Sequence, residues 1–186
     1  MKKTILLCFM LIILLTSCVH VKKIDYISNS TSFVKTNQDG SEKIFNEIYY
    51  SSININSVED LDKYITNLDN LSILSYESIK NADYITEEDL NREITYQKNI
   101  LKVLKNLKIS HSLFKNDAAY ENAKTYVKTN ISDLVKTRIN YFEIISKDID
   151  RSSISTLTML SQIESATLPI LTANAEKTRA LFLEKL

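Results

Sequence analysis

The chain has 186 residues, 44% of them hydrophobic and 25% charged, so it can enclose one ordinary core and is too apolar for a disordered tail. Its 23 basic and 23 acidic residues balance, which argues against a protein built to grip a nucleic-acid backbone, where a basic excess is expected. Gly40 and Pro169 are its only glycine and proline, and tight hairpins need glycine-bearing turns at positive φ. Few turns imply few, long elements, and the expectation is an all-α fold.

In chain order, Lys2 and Lys3 come first, then an uninterrupted apolar run over residues 5–15, then the small residues Thr16 and Ser17. This is the layout of a secretory signal. Eleven residues at about 1.5 Å each cover roughly 16 Å, against a hydrocarbon core about 30 Å thick, so the run is too short to span a bilayer. Taking Lys2 and Lys3 from the 23 basic residues leaves 21 against 23 acidic.

Leu15-Thr16-Ser17-Cys18 resembles the lipobox of bacterial lipoproteins: an aliphatic residue, two small or branched ones, then cysteine. The resemblance covers residues 1–18 only. It implies cleavage just before Cys18, a diacylglycerol thioether on its sulfur and fatty acylation, as by palmitate, of the new N-terminus. Two or more acyl chains hold a protein durably on a membrane, where one holds it marginally. Cys8 would leave with the leader, so the mature chain would have neither a disulfide nor a thiol nucleophile. Val19 follows the cysteine, and by the same resemblance a residue other than aspartate there implies the outer membrane rather than the inner. The expected organisation is a signal peptide over residues 1–17, a lipidated cysteine and polar tether over 18–40, and a helical domain over 41–186.

The tether, "VHVKKIDYISNSTSFVKTNQDG", has no helical periodicity and is expected to be flexible. After it the helical period persists. Ile44, Phe45, Ile48, Tyr49 and Ser52 line one face of a first helix, with Asp39 and Glu42 resembling a capping box. Ser57 is the expected cap of a second, whose apolar face runs Val58, Leu61, Ile65, Leu68, Leu71, Leu74 and Ile79. Thr86 before Glu87-Glu88-Asp89 starts a third, with Leu90, Ile94, Leu101 and Leu104 inward, widened by Ile100, Val103 and Leu107, and His111 at its end. Asn116-Asp117 starts a fourth, carrying Tyr120, Ala123, Val127, Ile131, Leu134, Arg138, Phe142, Ile145 and Ile149 on one stripe. Residues 150–153 break it. The last helix runs from Ile154 with Leu157, Leu160, Ile163, Thr167, Ile170 or Leu171, and Leu181 inward, and Pro169 is expected to kink or divide it near Leu168. Helices joined by short connections lie antiparallel, so the fold class is an up-and-down bundle of four to five helices.

No catalytic constellation emerges. His20 and His111 have no carboxylate or second histidine at metal-ligand spacing, and the residues three before them are Ser17 and Lys108, so the Glu-x-x-His pairs of a di-iron bundle are missing. With Gly40 alone there is no G-x-S-x-G elbow or phosphate loop. Carboxylates such as Glu87-Glu88 stand at helix starts, where the helix dipole accounts for them. No enzyme activity, metal, cofactor or small-molecule substrate is expected.

Three features are candidates for contact. Lys98, Lys102, Lys105 and Lys108 recur at helical spacing: they either meet an anionic surface or face solvent and an acidic neighbour among residues 59–93. Ten tyrosines suit either recognition or the margins of a core, the latter being the expectation here. Residues 152–175 carry one charge, Glu164, and a helix without a charged face is expected to be buried all round, the alternative being a docking face. The functional expectation is a lipid-anchored cell-envelope module, held to the membrane through Cys18, that binds a protein partner, as an adhesin does. The alternative is an accessory lipoprotein of a larger envelope complex, on the analogy of pilotins.

Overall fold

The computed structural model describes residues 55–183, which belong to one compact unit. The expected leader, Cys18, the tether and the helix after Gly40 lie outside these residues. Among them every regular element is helical, and four long helices form an up-and-down bundle. We label them α1 (Val58–Lys80), α2 (Glu87–Asn106), α3 (residues 117–145) and α4 (residues 154–183). A single 3₁₀ turn, His111–Leu113, lies between α2 and α3. Both α3 and α4 contain a π-helical stretch, Tyr126–Ile131 in α3 and Ile163–Thr167 in α4.

Local chemistry sets the helix starts. The Ser57 hydroxyl accepts the Asp60 N–H at 3.0 Å, satisfying a backbone donor that the first turn leaves open. Thr86 and Asp89 form a reciprocal capping box: Asp89 N–H donates to Thr86 Oγ1 at 3.0 Å, and the Asp89 carboxylate accepts from Thr86 N–H at 3.3 Å. Asn116 caps α3 through Ala119 N–H at 2.9 Å, and Ser153 caps α4 through Thr156 N–H at 3.1 Å.

The helix ends are made differently. A helix end most simply takes glycine in the left-handed region, and the only glycine of this chain is Gly40. Cationic side chains from distant elements serve instead. Lys128 Nζ donates to the carbonyls of Leu104, Lys105 and Leu107 at 2.7, 2.8 and 2.6 Å, closing the end of α2. Arg151 donates to Lys80 O at 3.4 Å and Ala82 O at 2.7 Å, closing the end of α1. Arg151 itself lies at φ 51, the left-handed position a glycine would favour.

α1 runs antiparallel to α2 and α4 and parallel to α3. Ser72 meets Gln97 and Ser75 meets Glu93, Asp62 meets Arg179 and Lys80 meets Glu164, and Asp69 meets Arg138. Leu61, Ile65, Leu68, Leu90, Ile100, Leu104, Ile131, Leu134, Phe142 and Ile145 are fully buried, so the apolar stripes expected for α1 and α3 face the core, while on α2 Ile94 and Leu101 are only half-buried and Ile100, Val103 and Leu104 carry the stripe. Arg138 is buried on the α3 stripe as well. Its guanidinium donates to Asp69 Oδ1 at 2.6 Å and Ser72 Oγ at 2.8 Å, while Ser72 Oγ donates to Gln97 Oε1 at 2.6 Å and Gln97 Nε2 to Ser72 O at 2.8 Å. This network ties three helices in one register, every member with a partner.

Two expectations about α4 are corrected. Helix 154–183 is not divided at Pro169: the π turn Ile163–Thr167 runs directly into Leu168–Leu183. The π turn just upstream widens the helix where the proline ring removes a donor, and Leu168 keeps helical angles (φ −61, ψ −46). Nor is α4 the central helix of the bundle. It buries Thr156, Leu160, Ile163, Ala175 and Phe182 and leaves most of its other positions exposed. Leu157, Ile170 and Leu181, expected inward, are exposed, and Leu171 is the half-buried residue at that turn. The apolar faces of α1, α2 and α3 close largely on one another, so α4 sits at the edge.

Candidate functional site

The outward side of α4 is the largest departure from a plain bundle surface. Ile154 is 83% exposed, Leu157 51%, Met159 50% and Ile170 62%. Ile154 shares its side of the helix with the exposed residues Thr158, Ser161 and Ser165, while Leu157 and Met159, two positions apart, stand on opposite flanks. A helix this poor in charge is ordinarily enclosed, and contiguous exposed apolar surface marks contact sites in soluble domains.

Glu164, the sole charge between residues 152 and 175, is directed away from this side. It lies in the π turn and accepts a hydrogen bond from Tyr141 Oη of α3 at 2.7 Å, with Lys80 Nζ of α1 at 3.9 Å. Its side chain is a third exposed. Tyr76 packs edge-on to Tyr141 at 4.9 Å between ring centroids, and Lys80 Nζ lies 5.8 Å from the Tyr76 ring centre. Burial, then the neighbouring Glu164, pushes the Tyr76 hydroxyl above the ordinary tyrosine range. Burial and the hydrogen bond to Glu164 do the same for Tyr141. Both phenols thus stay protonated, and Tyr141 donates to Glu164.

Beside Glu164 a shallow groove of about 460 Å³ runs between α1 and α4, floored by Tyr76, Leu168 and Pro169 and edged by Glu77, Lys80 and Glu176. Further along, Arg179 makes a bidentate pair with Asp62 at 2.5 and 2.6 Å, holding the far half of α4 on α1.

The lipidation site Cys18 and the cleavage residues Leu15, Thr16 and Ser17 lie outside the described residues, as does His20. Lys98, Lys102 and Lys105 are exposed along α2, as their spacing implied, whereas Lys108 is exposed beyond the end of the helix. Their acidic neighbour is on a different element from the one expected: Lys98 Nζ reaches Glu143 of α3 at 3.7 Å, not the acidic stretch of residues 59–93. His111 lies in the 3₁₀ turn after α2, with its Nε2 2.9 Å from Asp117 Oδ1, both exposed. Among the described residues no three His, Cys, Asp or Glu side chains gather as metal ligands, and no helix is long and apolar enough to cross a membrane. Of the described tyrosines, Tyr64, Tyr76, Tyr96, Tyr126 and Tyr141 are buried in or against the core, while Tyr84 is exposed.

Sequence reasoning missed Lys128 and Arg151 as helix-end caps, and Tyr141 as the partner of Glu164. The one available signal was negative: helices end at residues 80 and 106 with no glycine to close them. No family model, curated protein or solved structure matches this chain.

Proposed function

We propose that the chain is a cell-envelope lipoprotein, anchored through acylated Cys18, whose helical bundle acts by binding and not by catalysis, with the outward side of α4 as its contact surface. The observation that carries the binding role is the exposure of Ile154, Leu157, Met159 and Ile170 on a helix segment with no outward charge. The anchor is supported by the lipobox resemblance at residues 15–18. Burying one large apolar side chain is worth roughly 1.5–3 kcal/mol, so each of these side chains that a partner covers stabilises association. The polar network around Arg138 fixes the other three helices behind it, and a rigid face binds with less ordering cost than a mobile one.

The test is purification of the full chain from its own membrane in mild detergent, alongside a Met159→Glu, Ile170→Glu variant. The reading expects a stoichiometric polypeptide, of its own kind or another, that stays with the unaltered chain and is lost from the variant while helicity is unchanged. A chain that carries no partner in either form speaks against it.

A further inference from the structure

We propose that the segment just before Ile55, carrying Phe45, Ile48 and Tyr49, packs as a helix into the furrow between α1 and α2, on the side turned away from α4. The proposal stands apart from the reading of α4 and rests on burial, phase and reach.

Burial shows that this side is covered. Tyr64, Asn67 and Leu71 of α1 and Tyr96 and Val103 of α2 are all buried, Asn67 to 7% exposure and Val103 to 3%. Asparagine is mostly exposed in folded domains, so its burial marks a covered flank and not a bundle surface.

Phase shows that the four described helices meet one another elsewhere. At about 100° per residue, Asn67 stands about 160° round α1 from Asp69, which meets α3, and about 140° from Asp62, which meets α4. It stands about 80° from Ser75, which meets α2. Val103 stands about 120° round α2 from Gln97, which meets α1, and about 140° from Lys98, which meets α3. The burial of this flank therefore calls for chain beyond the described residues.

Reach names that chain. Ser57 caps α1, and a helix that ends a few residues earlier must turn back antiparallel along α1. Residues 45–54 rise about 15 Å as a helix, the same rise as from Ser57 to Asn67. Val103 lies at that level too: Ser72 meets Gln97 and Ser75 meets Glu93, and the same antiparallel count sets Val103 opposite Thr66. The sequence supplies the face that the furrow needs. Phe45, Ile48, Tyr49 and Ser52 share one side of a helix, with Asn46, Glu47 and Tyr50 on the other.

The experiment uses the full-length chain in its own membranes, with Phe45→Cys and Val103→Cys introduced together and mild oxidation. Peptide mass spectrometry identifies the linked pair, so the native Cys8 and Cys18 do not confuse the result. The control pairs Phe45→Cys with Lys105→Cys, an exposed position about 160° round α2 from Val103. The expected result is a disulfide within one chain between positions 45 and 103, at least tenfold more abundant than between 45 and 105. A second measurement leaves the segment untouched: Asn67→Cys should react with a water-soluble maleimide at least tenfold more slowly than Lys63→Cys, which is exposed on the same helix. No link between 45 and 103, equal yields at 103 and 105, a link found only between two chains, or equal labelling at 67 and 63 overturns the docking.

Discussion

Lys128 Nζ lies 2.7 Å from the carbonyl oxygen of Leu104, and 2.8 and 2.6 Å from those of Lys105 and Leu107. A side chain from the π turn of α3 thus closes the open end of α2, putting positive charge where the helix dipole is negative. Desolvation at this site lowers the Lys128 pKa below the ordinary lysine value. Lys128→Met should cost about 1.5–3 kcal/mol, the range for a hydrogen bond to a charged group. Urea unfolding measures the loss. Amide exchange should show it concentrated in the last turn of α2, whereas loss spread evenly over the chain would mean that Lys128 is not a cap.

Arg138 is 4% exposed and answers Asp69 and Ser72 together. Removing it by Arg138→Met strands a carboxylate and a hydroxyl, and breaking a buried pair in this way costs about 3–5 kcal/mol. Adding Asp69→Leu should recover a large part of that cost, because the uncompensated charge goes with it. Thermal or urea unfolding of the single and double variants forms the cycle, and simple additivity would contradict the coupling.

Acid should act at the connection between α3 and α4. Asp148 accepts Ser153 N–H at 2.9 Å and, more weakly, Ser152 N–H at 3.4 Å. These bonds, led by the one from Ser153, lower its pKa from 3.8 to about 2. A depressed carboxylate contributes stability that is full above the unfolded pKa and is lost as pH falls through the folded one. The loss should therefore develop from about pH 4 down to about pH 2. Carboxyl NMR reads the titration directly, and Asp148→Asn should remove this component of the acid sensitivity.

Base should act on the buried tyrosines. Burial, foremost, pushes Tyr126 up to about 12, and Tyr76, Tyr96 and Tyr141 are raised further. Since the unfolded chain ionises near 10, their contribution to stability is complete below pH 10 and is lost as pH rises toward 12 and beyond. Absorbance of phenolate should show these four ionising only on unfolding. Ionisation of these four near pH 10 in the native chain would contradict their burial.

How far the fold was legible in the sequence follows the range of the interactions. Ser57, Thr86 and Asn116 were readable as helix starts because each acts on a backbone N–H three positions away. The stripes of α1, α2 and α3 were readable because their period fixes a face, and the arginine on the α3 stripe proved to be buried with it. Lys128 and Arg151 were not readable, since they act on carbonyls some 20 and 70 positions away. The case of α4 differs. An uncharged helix signals that something covers it, and the sequence cannot distinguish a chain's own core from another surface. The π turns left no local trace either, so the inward turn of Glu164 and the course of the helix through Pro169 emerged only in three dimensions.

The most direct test of the account is mass spectrometry of the N-terminal peptide from protein recovered from native membranes, beside a Cys18→Ala variant. The account predicts a mature chain beginning at Cys18 with diacylglycerol on its sulfur, and a variant that is neither processed nor lipidated. An intact chain of 186 residues in the soluble fraction, still carrying Lys2 and Lys3 and a free Cys18 thiol, would contradict it.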